Sequence, residues 1–366
     1  MNADARRWTW AAALLATLAV APLLCTNHAR ADEDSPALAK YQKPVDEAID
    51  KALAHLARTQ LKDGSWPGPM PRNAGIASLA VMAFLAKGHA PGLAPYGDVI
   101  NKGIDFVLDS QEQNGMLVGE HRSHGPMYSH AIATLLLSEA SGMVSPERQT
   151  KLDAALGNAL RVLLSAQAVR KDRRQQGGWR YQHNSSDSDI SCTGWALMSL
   201  RSARNSGAAI PLEAIEGAVQ FVLNCRSPDG GFAYQPGGGS GLARTGTALL
   251  CLELCGQHRT DATKKAGDWI LDQIRRKRQG DRPRRPDEPF FYYGMYYCAQ
   301  GMFQLGDEHW EQFGATLYDL LLQMQKDDGS WPDAGGNEGQ GGPAYSTAMA
   351  VLAMSVAYRQ LPIYQR

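Results

Sequence analysis

The chain has 366 residues, 44% of them hydrophobic, enough for one large domain or two small ones. Lys plus Arg and Asp plus Glu each total 37, so there is no global basic field to attract a nucleic acid. With 20% charged residues and a normal apolar share, the chain is not disordered.

Arg6 and Arg7 precede an uncharged stretch from Trp8 to Leu24, and Ala29-Arg30-Ala31 places small residues where a signal peptidase reads. A basic start, an apolar middle and an A-x-A end predict a signal peptide over residues 1–31, hence export to the periplasm or beyond. An uncleaved anchor is the competing reading, with an apolar run just short of a typical span. Cleavage leaves 34 basic and 36 acidic residues. Residues 32–45 read as a linker and residues 46–361 as a repeat domain.

Within that domain one pattern returns about every 50 residues, the period of a repeat architecture. A helix ends in Gln or a similar residue, a Gly-rich turn with an aromatic follows, and a second helix rich in small apolar residues comes next. The first copy carries Gln60, Gly64 and Trp66, and the second Gln111 and Gly115. The third has Gln167, a longer insert and then Gly177-Gly178-Trp179; the fourth has Asp229-Gly230-Gly231-Phe232. The fifth is degenerate: a helix around Trp269–Ile274, a basic loop, then Phe290–Tyr293. The sixth carries Gln325, Gly329 and Trp331.

The second helices start near Ala74, Met127, Ser191, Arg244, Tyr292 and Tyr345 and are apolar on most faces, as inner helices should be. The first helices mix charged and apolar residues at i, i+3, i+4 spacing, which suits an outer layer. Strand alternation is nearly absent. The expected fold is all-α: about six helical hairpins closed into an α/α toroid. In each turn, Asp-Gly supplies a positive-φ position that stops the outer helix, Gln is expected to bond the free carbonyls of the helix's last turn, and the aromatic covers the joint between hairpins. The five cysteines of the mature chain, Cys192, Cys225, Cys251, Cys255 and Cys298, form no disulfide framework and read as buried thiols.

Gln60-x-x-Asp63-Gly64-Ser65-Trp66 and Gln325-x-x-Asp328-Gly329-Ser330-Trp331 resemble the QW motif of squalene and oxidosqualene cyclases. Related repeats occur in protein prenyltransferase β-subunits, and the resemblance covers nearly all of residues 46–358. Asp187-Ser188-Asp189-Ile190-Ser191-Cys192, at the start of the third inner helix, is similar to the D-x-D-D-T-A motif of class II terpene cyclases. By that resemblance Asp189 is the proton donor and Asp187 its partner, while Ile190 replaces the motif's last Asp. Such an acid must be held protonated in an apolar cavity, by desolvation and a neighbouring carboxylate. Aromatic walls then stabilise the carbocation. Inner-helix candidates are Tyr128, Trp195, Tyr293, Tyr296, Tyr297 and Tyr345, with Phe84 and Phe303. The simpler reading is that these rings fill the core and that the Asp pair caps a helix.

Protein prenyltransferase β-subunits bind zinc through an Asp, a nearby Cys and a His one repeat later, and this chain departs from that pattern, so no zinc is expected. Asp189 and Cys192 are three apart rather than two, and the next inner helix, Arg244–Cys255, carries no His. His121, His124 and His130 lie over ten positions, but polar rim residues explain them better than a metal; His130 joins the cavity candidates because it opens an inner helix like Asp189. No cofactor is expected. The basic run Arg275–Arg285 reads as a solvated loop or as a contact to anionic lipid headgroups.

Three functions follow. One is an exported terpenoid-cyclase-like protein with an isoprenoid or similar apolar ligand. The second is a non-catalytic scaffold. The third is a carbohydrate-active toroid enzyme, with Glu139, Glu253 or Asp287 as a second carboxylate.

Overall fold

A computed structural model describes residues 36–120, 122, 125–279 and 290–364. The expected signal peptide, His121, His124, Asp287 and most of the basic run lie outside the described residues. A short helix α1 (Pro36–Ala39) leads into six hairpins. The outer helices are α2 (Gln42–Thr59), α4 (Gly97–Asp109), α6 (Pro146–Ala168), α8 (Leu212–Asn224), α10 (Asp261–Gln279) and α12 (Asp307–Met324). The inner helices are α3 (Ala74–Ala86), α5 (Pro126–Ala140), α7 (Ile190–Asn205), α9 (Leu242–Leu254), α11 (Phe291–Leu305) and α13 (Gly342–Met354). Only isolated β-bridges occur among the described residues.

Each inner helix packs on the next, from α3 through α5, α7, α9 and α11 to α13, and α13 packs back on α3. This closure makes the chain the α/α toroid that the repeats predict. Composition separates the two layers. All thirteen residues of α3 and all fifteen of α11 are buried, because AGIASLAVMAFLA and FYYGMYYCAQGMFQL expose no face that water could reward. The outer helices α2 and α4 bury one stripe, Val45, Ile49, Leu53 and Leu56 in the first and Ile100, Ile104 and Val107 in the second. Burying each such side chain stabilises by about 1.5–3 kcal/mol.

The turns differ from expectation in one respect. Gln60 does not return its amide to the last turn of its own helix. Its Nε2 donates to Gly64 O at 3.1 Å and to Val99 O of the next outer helix at 2.9 Å. Gln111 does the same to Gly115 O and Ala155 O, and Gln167 to Gly177 O and Ala214 O. A glutamine whose helix stops in an extended C-cap, as at Gln60, has its side chain free to reach sideways. Each therefore staples one hairpin to the next. The turn aromatics, expected at the joint between hairpins, are hydrogen-bonded within their own hairpin. Trp66, Trp179 and Trp331 are buried, and each Nε1 donates to a carbonyl of its own outer helix, Leu56, Leu163 and Leu321, at 2.8–2.9 Å.

Glycine is required at the turn for two reasons at once. Gly177 has φ +92°, and a Cβ there would lie 2.1 Å from Gly217 O of α8. Gly64, at φ +88°, meets Lys102 O of α4 at the same distance.

The ring is sealed by the same device. Gln325 Nε2 donates to Gly329 O at 3.0 Å and to Ala48 O of α2 at 2.7 Å. Arg58 Nη2 adds a bond to Asp328 O at 3.2 Å. Tyr41, just before α2, is buried and donates to Asp319 of α12 at 2.6 Å. The packed chain thus begins before residue 46 and continues past Leu361, where a 3-10 turn, Pro362–Tyr364, buries Ile363 and Tyr364.

Candidate functional site

The first turns of the inner helices α3, α5, α7, α11 and α13 gather around one cavity of about 210 Å³. Tyr128, Trp195, Tyr293 and Tyr345 line it, with Ile76 and Leu79 of α3. Phe290, half exposed, stands at its edge. The polar groups reaching it include Asn73, Ser129, Ser191 and Glu338.

Tyr296 and Tyr297 do not line this cavity. They sit one turn deeper along α11, and depth rather than helical face separates them from Tyr293. Trp195 stacks on Tyr296 with centroids 5.4 Å apart and planes 12° from parallel, and meets Tyr297 edge-on at 5.2 Å. Tyr293 packs on Tyr297 at 4.6 Å. The aromatic wall is therefore two layers thick, the inner layer setting the rings that face the cavity. Tyr296 is fixed in turn by a 2.5 Å hydroxyl contact with Tyr364. Phe84 and Phe303 pack elsewhere, on Tyr96 and Trp310.

Asp189 is fully buried and is the N-cap of α7. Its Oδ1 accepts from the amides of Ser191 at 2.8 Å and Cys192 at 2.9 Å, and its Oδ2 lies 3.3 Å from Arg180 Nη1. Burial is the largest influence on its carboxyl and pushes the pKa up to about 6, against the helix amides and the guanidinium, which pull it down. The expected cause is thus present only in part, because the neighbour is a cation rather than a second carboxylate. Asp187 is about half exposed, 3.3 Å from Arg180 Nε, and accepts from Gln235 Nε2 at 3.2 Å. Arg180 bridges the two carboxylates while its guanidinium covers the Tyr181 and Tyr234 rings. Asp189 stands behind the cavity wall; Ser191, two residues on, is the α7 residue nearest it in sequence that lines the cavity. Asn73 caps α3 in the same way, accepting from Ile76 N at 3.0 Å.

His130 belongs to the frame rather than to the cavity. It is fully buried; Nδ1 accepts from Leu117 N at 3.1 Å and Nε2 faces Ala159 O at 3.2 Å. These partners require the neutral ring protonated at Nε2, and burial holds its pKa down at about 4. Other hairpins place threonine there. Thr193, Thr245 and Thr347 accept the amide of Trp179, Phe232 and Trp331.

Glu338 is the site residue that the sequence reading missed. It lies on a 3-10 turn, Gly336–Gly341, between glycines, where no repeat position draws attention to it. Its Oε1 accepts from Tyr293 N at 2.7 Å and Tyr345 Oη at 2.9 Å. Its Oε2 is buried without a hydrogen-bond partner. Burial raises its pKa, against the opposing pull of those donors and of the Tyr292 and Phe291 amides at the start of α11.

Glu139 and Glu253 sit near the C-terminal ends of their inner helices, about 17–20 Å along the axis from the N-terminal ends. Glu139 is engaged by Ser202 Oγ and Ile363 N, and Glu253 by His258 and Arg259 N. Neither faces Asp189 across the cavity. Among the described residues no group of three or more His, Cys, Asp or Glu could hold a metal, and no helix is long and apolar enough to cross a membrane. Arg275 donates to Gln312, and Arg276 pairs with Asp272.

Comparison with solved structures finds the same fold at low identity. Type II terpene cyclase MstE from Scytonema, in complex with geranylgeranyl dihydroxybenzoate, superposes with a TM-score of 0.57 at 14% identity, covering 89% of this chain and 99% of that one. A family 76 glycoside hydrolase from a bovine Bacteroides thetaiotaomicron strain gives 0.61 at 9% identity, over 87% and 78% of the two chains. A D-mannose isomerase gives 0.60 at 14%, over 87% and 97%. No curated protein sequence matches. The family model of the prenyltransferase alpha-alpha toroid domain matches residues 98–285, just over half of the chain. With its hairpins, stapled turns and ring closure, the chain belongs to the prenyltransferase alpha-alpha toroid family.

Proposed function

We propose that this chain is a terpenoid-cyclase-like toroid whose cavity holds an isoprenoid or similarly apolar ligand. The observation that carries the reading is the aromatic cavity at the N-terminal ends of the inner helices, built on Tyr128, Trp195, Tyr293 and Tyr345. Such walls attract apolar chains and stabilise carbocations. The substrate-bound MstE fold supports the same reading. A volume of about 210 Å³ favours a short chain, since drug-sized ligands occupy roughly 300–1,000 Å³.

If the ligand is turned over, the motif assigns the acid to Asp189, which must then be uncovered from behind the cavity wall to reach the ligand. A buried carboxyl with a pKa of about 6 exchanges protons near neutral pH, which suits general acid catalysis. The N-terminal segment supports export, with cleavage after Ala31, and N-terminal sequencing of the protein from its native host tests this.

Mass spectrometry of the organic extract of the native protein tests the ligand. A stoichiometric isoprenoid is the expected result, and a clean extract from intact protein counts against the reading. Asp189→Asn keeps the Oδ1 cap and is expected to fold and to abolish turnover. Full turnover in that variant removes Asp189 from the mechanism.

A further inference from the structure

The inner helices follow one another around the ring in the order α3, α5, α7, α9, α11 and α13, so α5 and α11 stand opposite each other. After α13 a 3-10 turn, Ser355–Tyr358, leads to a second one, Pro362–Tyr364, and this second turn meets both sides of the ring. Ile363 N donates to Glu139 Oε2 of α5 at 3.1 Å. Gln304 Nε2 of α11 donates to Tyr364 O at 3.2 Å. The turn also packs on α7. Glu139 and Gln304 both lie at the C-terminal ends of their helices. A turn this short that meets opposite helices must lie across the ring axis, so it closes the mouth on the far side from the aromatic cavity.

Three rings connect this turn to the cavity. Trp195 lines the cavity and stacks on Tyr296, and the Tyr296 hydroxyl meets that of Tyr364 at 2.5 Å. The cavity floor is thus held from the far mouth by a residue outside the hairpin repeats. Ring closure does not use that residue. α13 packs on α3, and Gln325 joins the end of α12 to α2. The seat of the turn is also imperfectly satisfied. Tyr297 Oη and Gln300 Oε1, on the stretch of α11 between the floor and the turn, are buried without hydrogen-bond partners. A void of about 10 Å³ lies among Gln300, Leu361 and Tyr364. Orphaned polar atoms cost free energy in the seated state, and water recovers it when the turn lifts. Burial of Leu361, Ile363 and Tyr364 holds the turn down, and an apolar chain can replace that burial in kind.

We propose that Pro362–Tyr364 is a plug that sets the depth of the apolar cavity, with Tyr364 as the residue that limits ligand length. A chain that fits the cavity of about 210 Å³ binds with the plug seated. A longer chain displaces Tyr296 and Tyr364 and runs on along the ring axis. Tyr364 is a positioning residue, since it acts on the ligand through Tyr296 and Trp195. This rests on the apolar-ligand reading above and adds to it a limit on chain length.

Hydrogen exchange on the intact wild-type protein tests it with three neutral probes, geraniol, farnesol and geranylgeraniol, each one isoprene unit longer than the last. With geraniol bound, the Ile363 amide keeps the protection that Glu139 gives it. With geranylgeraniol bound, that protection is lost, and farnesol falls between the two.

Titration calorimetry of Tyr364→Ala gives a second readout. Without the ring the floor drops, and the farnesol-to-geraniol affinity ratio rises roughly tenfold, the gain from burying about two more methylene groups. Tyr364→Phe keeps the ring and holds the wild-type ratio. A purely structural role weakens all three probes alike and leaves the ratio where it is. Equal protection of Ile363 with geraniol and geranylgeraniol bound overturns the inference, as does an unchanged ratio in folded Tyr364→Ala. Where the Ala variant does not fold, Tyr364→Leu and the wild-type exchange decide the matter. Failure of all three probes to bind the wild type overturns the apolar-ligand reading itself.

Discussion

The most direct test of the architecture is Gln325→Ala. This side chain stands where the sixth hairpin meets the first, and its Nε2 supplies two hydrogen bonds, 2.7 Å to Ala48 O and 3.0 Å to Gly329 O. Each neutral hydrogen bond contributes about 0.5–1.5 kcal/mol net, so losing both costs about 1–3 kcal/mol. Packing loss adds little, because Gln325 is only half-buried. In a domain of this size 1 kcal/mol shifts the melting temperature by roughly 2 °C, giving a drop of about 2–6 °C by scanning calorimetry. Gln323→Ala is the control, since Gln323 is exposed on the same helix. If the two variants melt within about 1 °C of each other, the stapling role assigned to the turn glutamines is wrong. Amide exchange adds a spatial readout. Gln325→Ala is expected to lower protection in α2 and α13 before it lowers protection in α7.

Gly177→Ala must relieve both a positive φ and a Cβ 2.1 Å from a backbone oxygen; a loss above about 3 kcal/mol is expected, and wild-type melting refutes the close approach. Glu139 has its pKa raised by burial from 4.5 to about 7, so the folded state holds the proton more tightly and stability falls as pH rises between those values, by on the order of 3 kcal/mol. Glu139→Gln should flatten that slope in urea titrations at pH 4.5 and pH 7. His130 works in the opposite sense: its pKa is lowered from 6.5 to about 4, so its contribution is complete above pH 6.5 and is lost as pH falls towards 4. His130→Gln should remove that acid-side loss, and an unchanged acid limb means that His130 is not the group responsible.

The layers and the ring were legible because they rest on short-range signals. Gly-aromatic turns repeat about every 50 residues, and the apolar runs between them are too complete for a surface helix. The staples were not legible in their targets. The acceptors are main-chain carbonyls such as Val99 O and Ala155 O, and any residue type supplies a carbonyl. His130 could have been placed correctly by aligning the hairpins on their turn aromatics, which sets it beside Thr193, Thr245 and Thr347. Read as an isolated histidine, it suggested chemistry instead. For the Tyr-rich run of α11, sequence shows which rings are inner but not how deep the cavity reaches, so Tyr293 and its neighbours Tyr296 and Tyr297 looked equivalent. Glu338 escaped notice because its environment is made by α11 and α13 folding over a glycine-rich turn, and nothing in that turn alone predicts burial.

Ring closure also has a kinetic consequence. Contacts between successive hairpins join residues some 40–50 positions apart, whereas Gln325 reaches Ala48 across 277 positions. Loop-closure entropy penalises the longer contact, so the seam between α12–α13 and α2–α3 is expected to form last, after an open arc of hairpins. That arc presents two raw ends, each with the apolar face of an inner helix and an unmet partner for the stapling glutamine. A second arc offers the same surfaces in complementary order, which makes domain-swapped dimers the misassembly this topology invites during refolding at high concentration.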